Sequence, residues 1–470
     1  MIAARWGMRL IGLASTIILA RLLTPDDFGI IALAMIVVGL LDAVAYAGVD
    51  LALMRPGADS KAHYDTAWTI QIVQGLLLAG ALFAIAPFAA AFLVQPRVQA
   101  VIQVIALRPL ILGFKNIGIV NFRKELNFSK DFLFTLTSKL LNFIVLISAA
   151  LVFRNYWALV VGMTSSALID VSLSYLMHSY RPRLTTKCIK ELWGFSQWLI
   201  ISRIGSFLTR KTDEFMIGRL LGTVAMGGYH VASEVATMPN LELVMPLRRA
   251  MFPTLSRTAN DPAELQRVFL MSFSGVATLA FSIGFGVFSV TPELVPVLLG
   301  AKWTEAAGPM RWLALFGSFS ALVLTMEMLL WVSGRTRLSA QQAWIELAIL
   351  VPLMYFAVRQ GGIEQAAVAR MAVSALMVPI VISLVSRSCE IPQRKFYATL
   401  WRPLIAGLVM AAILNSFPST FIASPALLLV IKVTTGLLLF PTILLCIWFL
   451  SGRPLGLETK AVRWVARKLA

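Results

Sequence analysis

The chain has 470 residues, of which 59% are hydrophobic and 14% are charged, with a mean hydropathy of +0.81 and a formal net charge of +18. A water-soluble domain of this length has too little interior to hide so much apolar surface, so the composition excludes that class. The cysteines, Cys188, Cys389 and Cys446, have no pairing or metal-binding spacing, and there are 3 histidines. We therefore expect no disulfide scaffold, no metal and no cofactor.

Apolar runs long enough to cross a bilayer recur along the whole chain. They predict an all-α polytopic membrane protein with about 14 transmembrane helices. In chain order, the predicted spans cover residues 2–23, 28–54, 67–94, 98–120, 131–153, 156–177, 195–221, 225–247, 269–290, 306–332, 339–358, 365–386, 403–417 and 424–449. The first span lacks the basic start and the cleavage site of a signal peptide, so we predict a retained helix.

Basic residues concentrate in alternate breaks between these spans. One set of breaks, together with the C-terminal tail, carries 24 Lys and Arg residues, and the other set carries 4, namely Arg97, Arg154, Lys302 and Arg359. The positive-inside rule places the rich set in the cytoplasm, and an even number of spans then places both termini there. The positive net charge is therefore explained by the orientation of the protein in the membrane, and it predicts no nucleic-acid partner. The alternative role of the basic loops is binding of lipid headgroups.

The predicted seventh span differs from the others because it contains Arg203, Arg210, Lys211, Asp213 and Glu214. A charge at the middle of a bilayer costs several kcal/mol, so such residues normally face a bundle interior or a watery cavity. The pattern predicts that a polar or charged substrate passes beside this helix.

A short internal repeat predicts the domain organisation. Arg21-Leu22-Leu23, followed after five residues by Gly29, recurs as Arg219-Leu220-Leu221, followed after five residues by Gly227. The copies lie six spans apart at the outer ends of odd-numbered spans, as in transporters built from parallel repeats. We therefore predict an N-terminal six-helix lobe over residues 1–180, a C-terminal lobe over 181–387, and two additional helices with a basic tail over 388–470. A central cavity is expected between the lobes.

Four segments of the chain carry a family resemblance. They are TPDDFG at 24–29, DEFMIGRLLG at 213–222, FP with LSR at 252–257, and PELVPVLLGAKW at 292–303. In this order they resemble the Wzx-type oligosaccharide flippases of the multidrug/oligosaccharidyl-lipid/polysaccharide exporter superfamily. The seventh span differs from the Arg-Asn-x-Asp of similar sequences, since Arg210-Lys211-Thr212-Asp213 has an extra cation.

The resemblance implies a function, a location and partners. Members of this family move polyprenyl-diphosphate-linked sugars across the bacterial inner membrane by alternating access, for exopolysaccharide, O-antigen (lipopolysaccharide) or capsule synthesis. A polysaccharide polymerase and export machinery are the further partners that the resemblance suggests.

The cationic residues inside predicted spans are the candidate substrate-binding residues. Arg203 and Arg210 are seven residues apart and share one helical face, while Arg9 and Arg108 belong to the first lobe. Lys211 completes the set. Arginine binds phosphate oxygens bidentately, which suits a lipid diphosphate. The alternative is local neutralisation, in which Arg210 pairs with the acids three and four residues later and only joins helices.

The acidic residues inside predicted spans have two interpretations. Asp42, Glu234 and Glu346 are either structural partners of the cations or sites that couple transport to H⁺ or Na⁺. Asp213 and Glu214 belong to the same set of charge-partner or ion-coupling candidates.

Two alternative functions remain open at this point. One is an ion-coupled antiporter of drugs or small molecules from the same superfamily, which the cations of the seventh span disfavour. The other is an integral-membrane glycosyltransferase or polymerase, for which Asp26 and Asp27 are the acidic pair. The short outer loops disfavour an enzyme, and a helix start with acids near its N-terminus explains the same pair. We therefore predict a transporter with no catalytic residue.

Overall fold

A computed structural model describes residues 2–45, 53, 60–125, 127–189, 197–258, 261–417 and 424–452. The regular secondary structure of these ranges is helical, which confirms the all-α prediction. The α-helices are α1 Ile2–Leu22, α2 Pro25–Ala45, α3 Lys61–Phe92, α4 Arg97–Ile105, α5 Leu107–Gly113, α6 Val120–Lys124, α7 Phe128–Phe153, α8 Trp157–Met177, α9 Gln197–Arg257, α10 Pro262–Leu298, α11 Ala307–Val332, α12 Thr336–Cys389, α13 Gln393–Asn415 and α14 Pro425–Leu450. Short 3₁₀ helices lie at Ile117–Ile119 and Ala301–Ala306.

Eight helices within the described ranges are long and apolar enough to cross a membrane. The longest of them, α12, contains two glycines with non-helical backbone angles, Gly361 and Gly362, the latter at φ 72°. The break lies between the predicted eleventh and twelfth spans. Gly222, at φ 85°, divides α9 in the same way into residues 197–221 and 223–257. Glycine adopts such angles without a steric penalty, so these positions end one span and start the next. The number of 14 spans stays a prediction.

The chain divides into two compact units, residues 1–227 and 228–470. The first unit contains α1 to α8 and α9 up to residue 227, and the second contains the rest of α9 and α10 to α14. The predicted lobe boundaries at 180 and 387 stay a prediction.

The predicted fourth span is interrupted in the first unit. Helices α4 and α5 meet at Ala106, and Pro109 in the next turn has no backbone N–H to continue the hydrogen-bond ladder. Helix α3 packs closely here, since a methyl group on Gly75 would lie 2.5 Å from the carbonyl oxygen of Pro109. The amide of Gln71 donates to carbonyls near the end of α5, those of Leu112, Gly113 and Lys115, at 2.8, 3.3 and 3.2 Å. These bonds satisfy carbonyls that the helix end leaves free.

Helix α10 is the centre of the second unit and packs against α11, α13 and α14. Its buried Phe269 and Phe273 form an aromatic cluster with Phe396 of α13, with ring centroids 5.6 to 5.9 Å apart. On α11, the hydroxyl of Ser318 donates to the carbonyl of Ala280 at 2.6 Å. Small residues and backbone-directed hydroxyls allow helices to approach closely in a membrane.

Candidate functional site

The first part of α9 carries a charge cluster in which acids and cations differ in exposure. Asp213 and Glu214 are buried, with 5% and 6% of their surface exposed, whereas Arg210 is exposed and Lys211 is half-buried. The Lys211 ammonium lies 2.7 Å from both carboxylate oxygens of Glu214, one helical turn away. The negative charges are therefore packed inside the first unit, and a positive charge lies at its surface.

The neighbouring hydroxyls of this helix bind its own backbone. Thr209 donates to the carbonyl of Gly205 at 3.0 Å, and Thr212 donates to that of Leu208 at 2.7 Å. Hydroxyls that bond in this way need no partner from another helix.

Two predicted residues of the first lobe lie close enough to interact. Arg108 is half-buried on α5, Asp42 is exposed on α2, and the Arg108 cation acts electrostatically on the Asp42 carboxylate. This arrangement supports a charge-partner role for Asp42. Arg9 and Arg203 lie in α1 and α9, but their side chains are outside the part of the chain that the structure describes.

The two other predicted acids lie in different surroundings in the second unit. The carboxylate of Glu346 is 3.7 Å from the guanidinium of Arg370, which is 4% exposed. The same guanidinium lies 4.7 Å from the ring centroid of Phe316. Glu234, on the second part of α9, is exposed, and no hydrogen bond or ion pair joins its side chain to another described residue. Of the two acids, Glu346 is the one with a charge partner.

Sequence reasoning missed a buried ion pair in the second unit. Lys432 of α14 and Glu293 of α10 lie 2.6 Å apart, and their side chains are 6% and 10% exposed. A second oxygen of Glu293, Oε2, is buried without a hydrogen-bond partner. The signal for Lys432 and Arg370 was present, since each is a single cation in an apolar span.

The acidic pair at the start of α2 has a structural role. Asp27 accepts from the backbone N–H and hydroxyl of Thr24 at 2.9 and 2.6 Å, and from the backbone N–H of Tyr156 at 2.9 Å. Asp26 accepts two hydrogen bonds from Arg97, at 2.7 and 3.2 Å, and one from the hydroxyl of Thr223. Both carboxylates are thus engaged in holding helix ends, as the helix-start interpretation predicts.

The loop that follows α8 is hydrogen-bonded to the N-terminal end of α3. Asp65 accepts from the hydroxyl of Tyr180 at 2.7 Å and from the backbone N–H of Arg183 at 2.9 Å. Burial, reinforced by the hydrogen bond to Asp65, raises the pKa of Tyr180. His178 accepts from the backbone N–H of Tyr180 at 3.0 Å, and burial lowers the pKa of this imidazole. This end of the first unit depends on a neutral histidine and a neutral tyrosine.

Comparison with known proteins identifies the family. Residues 18–308 match a family model described as "Polysaccharide biosynthesis protein". The chain belongs to this family. It is similar to the succinoglycan biosynthesis transport protein ExoT of Rhizobium meliloti, at 25% identity over 85% of this chain and 81% of ExoT. It is also similar to the lipopolysaccharide biosynthesis protein WzxC of Escherichia coli, at 22% identity over 85% of this chain and 82% of WzxC. The predicted membership of the Wzx-type flippases is confirmed.

A solved structure supports the fold of this polysaccharide biosynthesis protein. The lipid II flippase MurJ, in an inward closed conformation, superposes with a TM-score of 0.72 over 95% of this chain and 98% of MurJ. The sequence identity is 11%, so the likeness concerns the fold. The two chains therefore share a fold although their sequences differ at most positions.

Proposed function

We propose that this protein is a flippase that moves a polyprenyl-diphosphate-linked oligosaccharide from the cytoplasmic to the periplasmic leaflet by alternating access. It is a multi-pass membrane transporter of the polysaccharide biosynthesis family. Its product would enter a surface-polysaccharide pathway, as the names of ExoT and WzxC indicate for those relatives. A polymerase and export machinery in the periplasm would then consume the translocated sugar.

The observation that carries this proposal is the arrangement of charge on the first part of α9. Arg210 is exposed, while Asp213 and Glu214 are buried. A diphosphate headgroup cannot cross hydrocarbon without a compensating charge, and an exposed guanidinium in a low-dielectric pathway provides it. Arg210 is therefore the residue that we expect to contact the diphosphate, with Lys211, Arg108, Arg9 and Arg203 as further contributors.

The alternative functions fit this arrangement less well. An antiporter of organic cations would expose acids rather than arginine on its substrate helix, because like charges repel. A glycosyltransferase needs free carboxylates, and those of Asp26 and Asp27 are bound to helix ends. Membership of the polysaccharide biosynthesis family favours a flippase over both the antiporter and the glycosyltransferase.

The test is translocation of lipid-linked oligosaccharide in proteoliposomes that contain the purified protein. Arg210→Ala should lower the rate ten-fold or more, because a hydrogen bond to a charged group contributes about 1.5–3 kcal/mol. Arg359→Ala is the control, since Arg359 is also an exposed cation but lies at the break between two predicted spans, two residues before Gly361, and it should keep the rate. Recovery of transport in the double variant Arg210→Ala/Asp213→Ala would show that Arg210 serves only as a partner of Asp213.

We further propose that the protein lies in the bacterial inner membrane with both termini in the cytoplasm. The 24-to-4 distribution of basic residues supports this orientation. Thr304→Cys, at an exposed position between α10 and α11, should react with an impermeant maleimide in intact cells. The native Cys389, at the end of α12, should react only after permeabilisation. Labelling of Cys389 in intact cells would reverse the proposed orientation.

A further inference from the structure

The first unit contains an apolar cavity of about 610 Å³ between α2, α3 and the first part of α9. Its walls are apolar except for Lys211 and Thr212. Four of the lining residues are phenylalanines, Phe88, Phe92, Phe207 and Phe215. The volume lies within the range of small-molecule sites in proteins, about 300–1,000 Å³.

The cavity has a lateral opening at the surface of the first unit, beside α3. Phe88 and Phe92 of α3 are 73% and 60% exposed, although both line the cavity. Helix α3 is long and apolar enough to cross a membrane, and exposed phenylalanine side chains on such a helix are compatible with lipid contact. An apolar chain can therefore enter from the bilayer without crossing the protein.

The two polar groups in the walls are already satisfied. Lys211 is held by Glu214 at 2.7 Å, and the hydroxyl of Thr212 donates to the backbone of its own helix. The inner part of the cavity thus offers a neutral surface to an uncharged chain.

A cation lies at the rim. The guanidinium of Arg219 is exposed and lies 6.0 Å from the ring centroid of Phe92, which in turn stacks on Phe215 at 5.8 Å. Phe92 is the last residue of α3, and Gly222 ends the first part of α9 three residues after Arg219, so the rim is close to a membrane boundary. An anionic group fits at this position by charge.

The distance from the inner end of the cavity to the cation at its rim matches one leaflet. Phe207 and Arg219 are twelve residues apart on one helix, which corresponds to about 18 Å. Half of the hydrocarbon core of a bilayer is about 15 Å thick. One acyl chain of a phospholipid fills this depth, whereas a polyprenyl chain is several times longer.

We propose that this cavity binds one acyl chain of an anionic phospholipid, such as phosphatidylglycerol, with the lipid phosphate at Arg219. Arg219, which would hold the lipid phosphate, lies nine residues after Arg210, the residue proposed to contact the diphosphate; Lys211, a further contributor to that contact, forms part of the cavity wall. The lipid site does not depend on which sugar is transported. A bound lipid fills a space that α2, α3 and α9 leave open, and it stabilises their packing in the membrane.

The test measures which lipid stays bound. The protein is equilibrated in nanodiscs with equal amounts of phosphatidylglycerol and phosphatidylcholine, and retained lipids are identified by native mass spectrometry. Phosphatidylglycerol should predominate, and Arg219→Gln should weaken its retention about five-fold, the effect of one cation at a membrane surface. The matched control is Arg359→Gln, since Arg359 lies 4.8 Å from the ring of Tyr355 with no cavity residue beside it, and it should change nothing. Equal retention by the parent protein and Arg219→Gln, or retention of polyprenyl phosphate instead, would overturn the proposal.

The main comparison of a second measurement needs no cavity-filling variant, so it stays decisive even if such a variant does not fold. A photo-crosslinking benzoylphenylalanine replaces Phe88, which lines the cavity, or Phe83, which is 59% exposed on α3 but does not line it. In the same mixed nanodiscs, crosslinks from position 88 should favour phosphatidylglycerol, while those from position 83 should follow the bulk ratio. Ala89→Trp, which fills the cavity, should abolish the preference at position 88. Identical lipid ratios at the two positions in the parent protein would contradict a specific site.

Discussion

Gly29 and Gly227 pack reciprocally against each other's segments in the first compact unit. A methyl group on Gly29 would overlap the carbonyl oxygen of Thr223, and a methyl group on Gly227 would overlap that of Pro25. Gly227 follows Gly29 by the same 198 residues by which Thr223 follows Pro25. Such an exchange of contacts between equivalent positions is the pattern of a two-fold axis. The short sequence repeat therefore corresponds to a symmetric contact in space.

The first prediction concerns this contact. Gly29→Ala and Gly227→Ala should each lower the thermal stability of the purified protein, because the methyl group meets backbone atoms that cannot move aside. The expected cost of such overpacking is about 1–3 kcal/mol, and transport should fall as well. Gly80→Ala is the matched control, since no atom lies within 4 Å of its added methyl group and alanine favours a helix. Unchanged melting and transport in Gly29→Ala would show that the close approach is not needed.

The helices were predictable from the sequence because long apolar runs have few other stable structures in a membrane. The predicted sixth span, residues 156–177, corresponds to α8 at Trp157–Met177, and the predicted tenth, residues 306–332, corresponds to α11 at Ala307–Val332. The interruption at Ala106 was not predicted. Hydropathy stays high through that break, and the proline that causes it is one of many prolines inside helices of this chain.

The charge partners between helices were harder to predict than the helices. Lys211 and Glu214 are one turn apart, so helix periodicity alone brings them together. Arg370 and Glu346 come from different parts of α12, on either side of the break at Gly361 and Gly362. Which cation meets which acid across a helix pair depends on rotation and tilt, and these follow from packing that a single sequence does not specify.

A second prediction concerns the buried pair of Glu293 and Lys432. Lys432→Met should destabilise the protein by about 3–5 kcal/mol, because it leaves a buried carboxylate without its cation. The double variant Lys432→Met/Glu293→Gln should recover most of this loss, because it removes both charges. The matched control is Arg267→Met, which breaks an exposed pair with Glu264 at the start of α10 and should cost little or nothing. Thermal unfolding in one detergent measures all three, and a double variant no more stable than Lys432→Met would argue against charge burial as the cause.

A third prediction concerns pH at the loop that follows α8. Burial lowers the pKa of His178, so the folded loop favours the neutral imidazole, which accepts from the backbone N–H of Tyr180. The usual pKa of histidine is about 6.5. The stabilisation is therefore present above this value and is lost as the pH falls below it, through the lowered pKa of the folded state. The Glu125 carboxylate favours the charged imidazole, whereas Lys130 and Arg181 disfavour it, and burial together with these two cations keeps the pKa of His178 below its usual value.

Hydrogen exchange of the loop measures this effect. After correction for the intrinsic rate, the Tyr180 amide should be protected at pH 7.5 and should lose protection at pH 5. His178→Asn keeps an acceptor oxygen near the position of Nδ1 but does not titrate, so its protection should be independent of pH. His63→Asn, at the start of α3, is the control and should behave like the parent. A His178→Asn protein with the full pH response would place the titrating group elsewhere.

The last prediction is about driving force. One elementary charge moved through 100 mV gains or costs about 2.3 kcal/mol. The bacterial interior is negative, so an anionic diphosphate that leaves the cytoplasm moves down the membrane potential. A proton that enters in exchange adds a charge in the favourable direction, and Glu234 and Glu346 are the candidates to carry it. Their surroundings differ, because Glu346 faces the buried Arg370 whereas Glu234 is exposed.

Both the potential and the pH gradient should therefore drive transport, and the two acids should respond differently to amide substitution. Glu234→Gln should remove the part of the rate that depends on the pH gradient and leave the part that depends on voltage. Glu346→Gln should lower both parts, because it takes the carboxylate away from Arg370 and disturbs packing whether or not a proton is carried. The measurement is translocation in proteoliposomes with the potential and the pH gradient imposed separately. Undiminished rates with both gradients collapsed would mean that the energy comes from removal of the product on the periplasmic side.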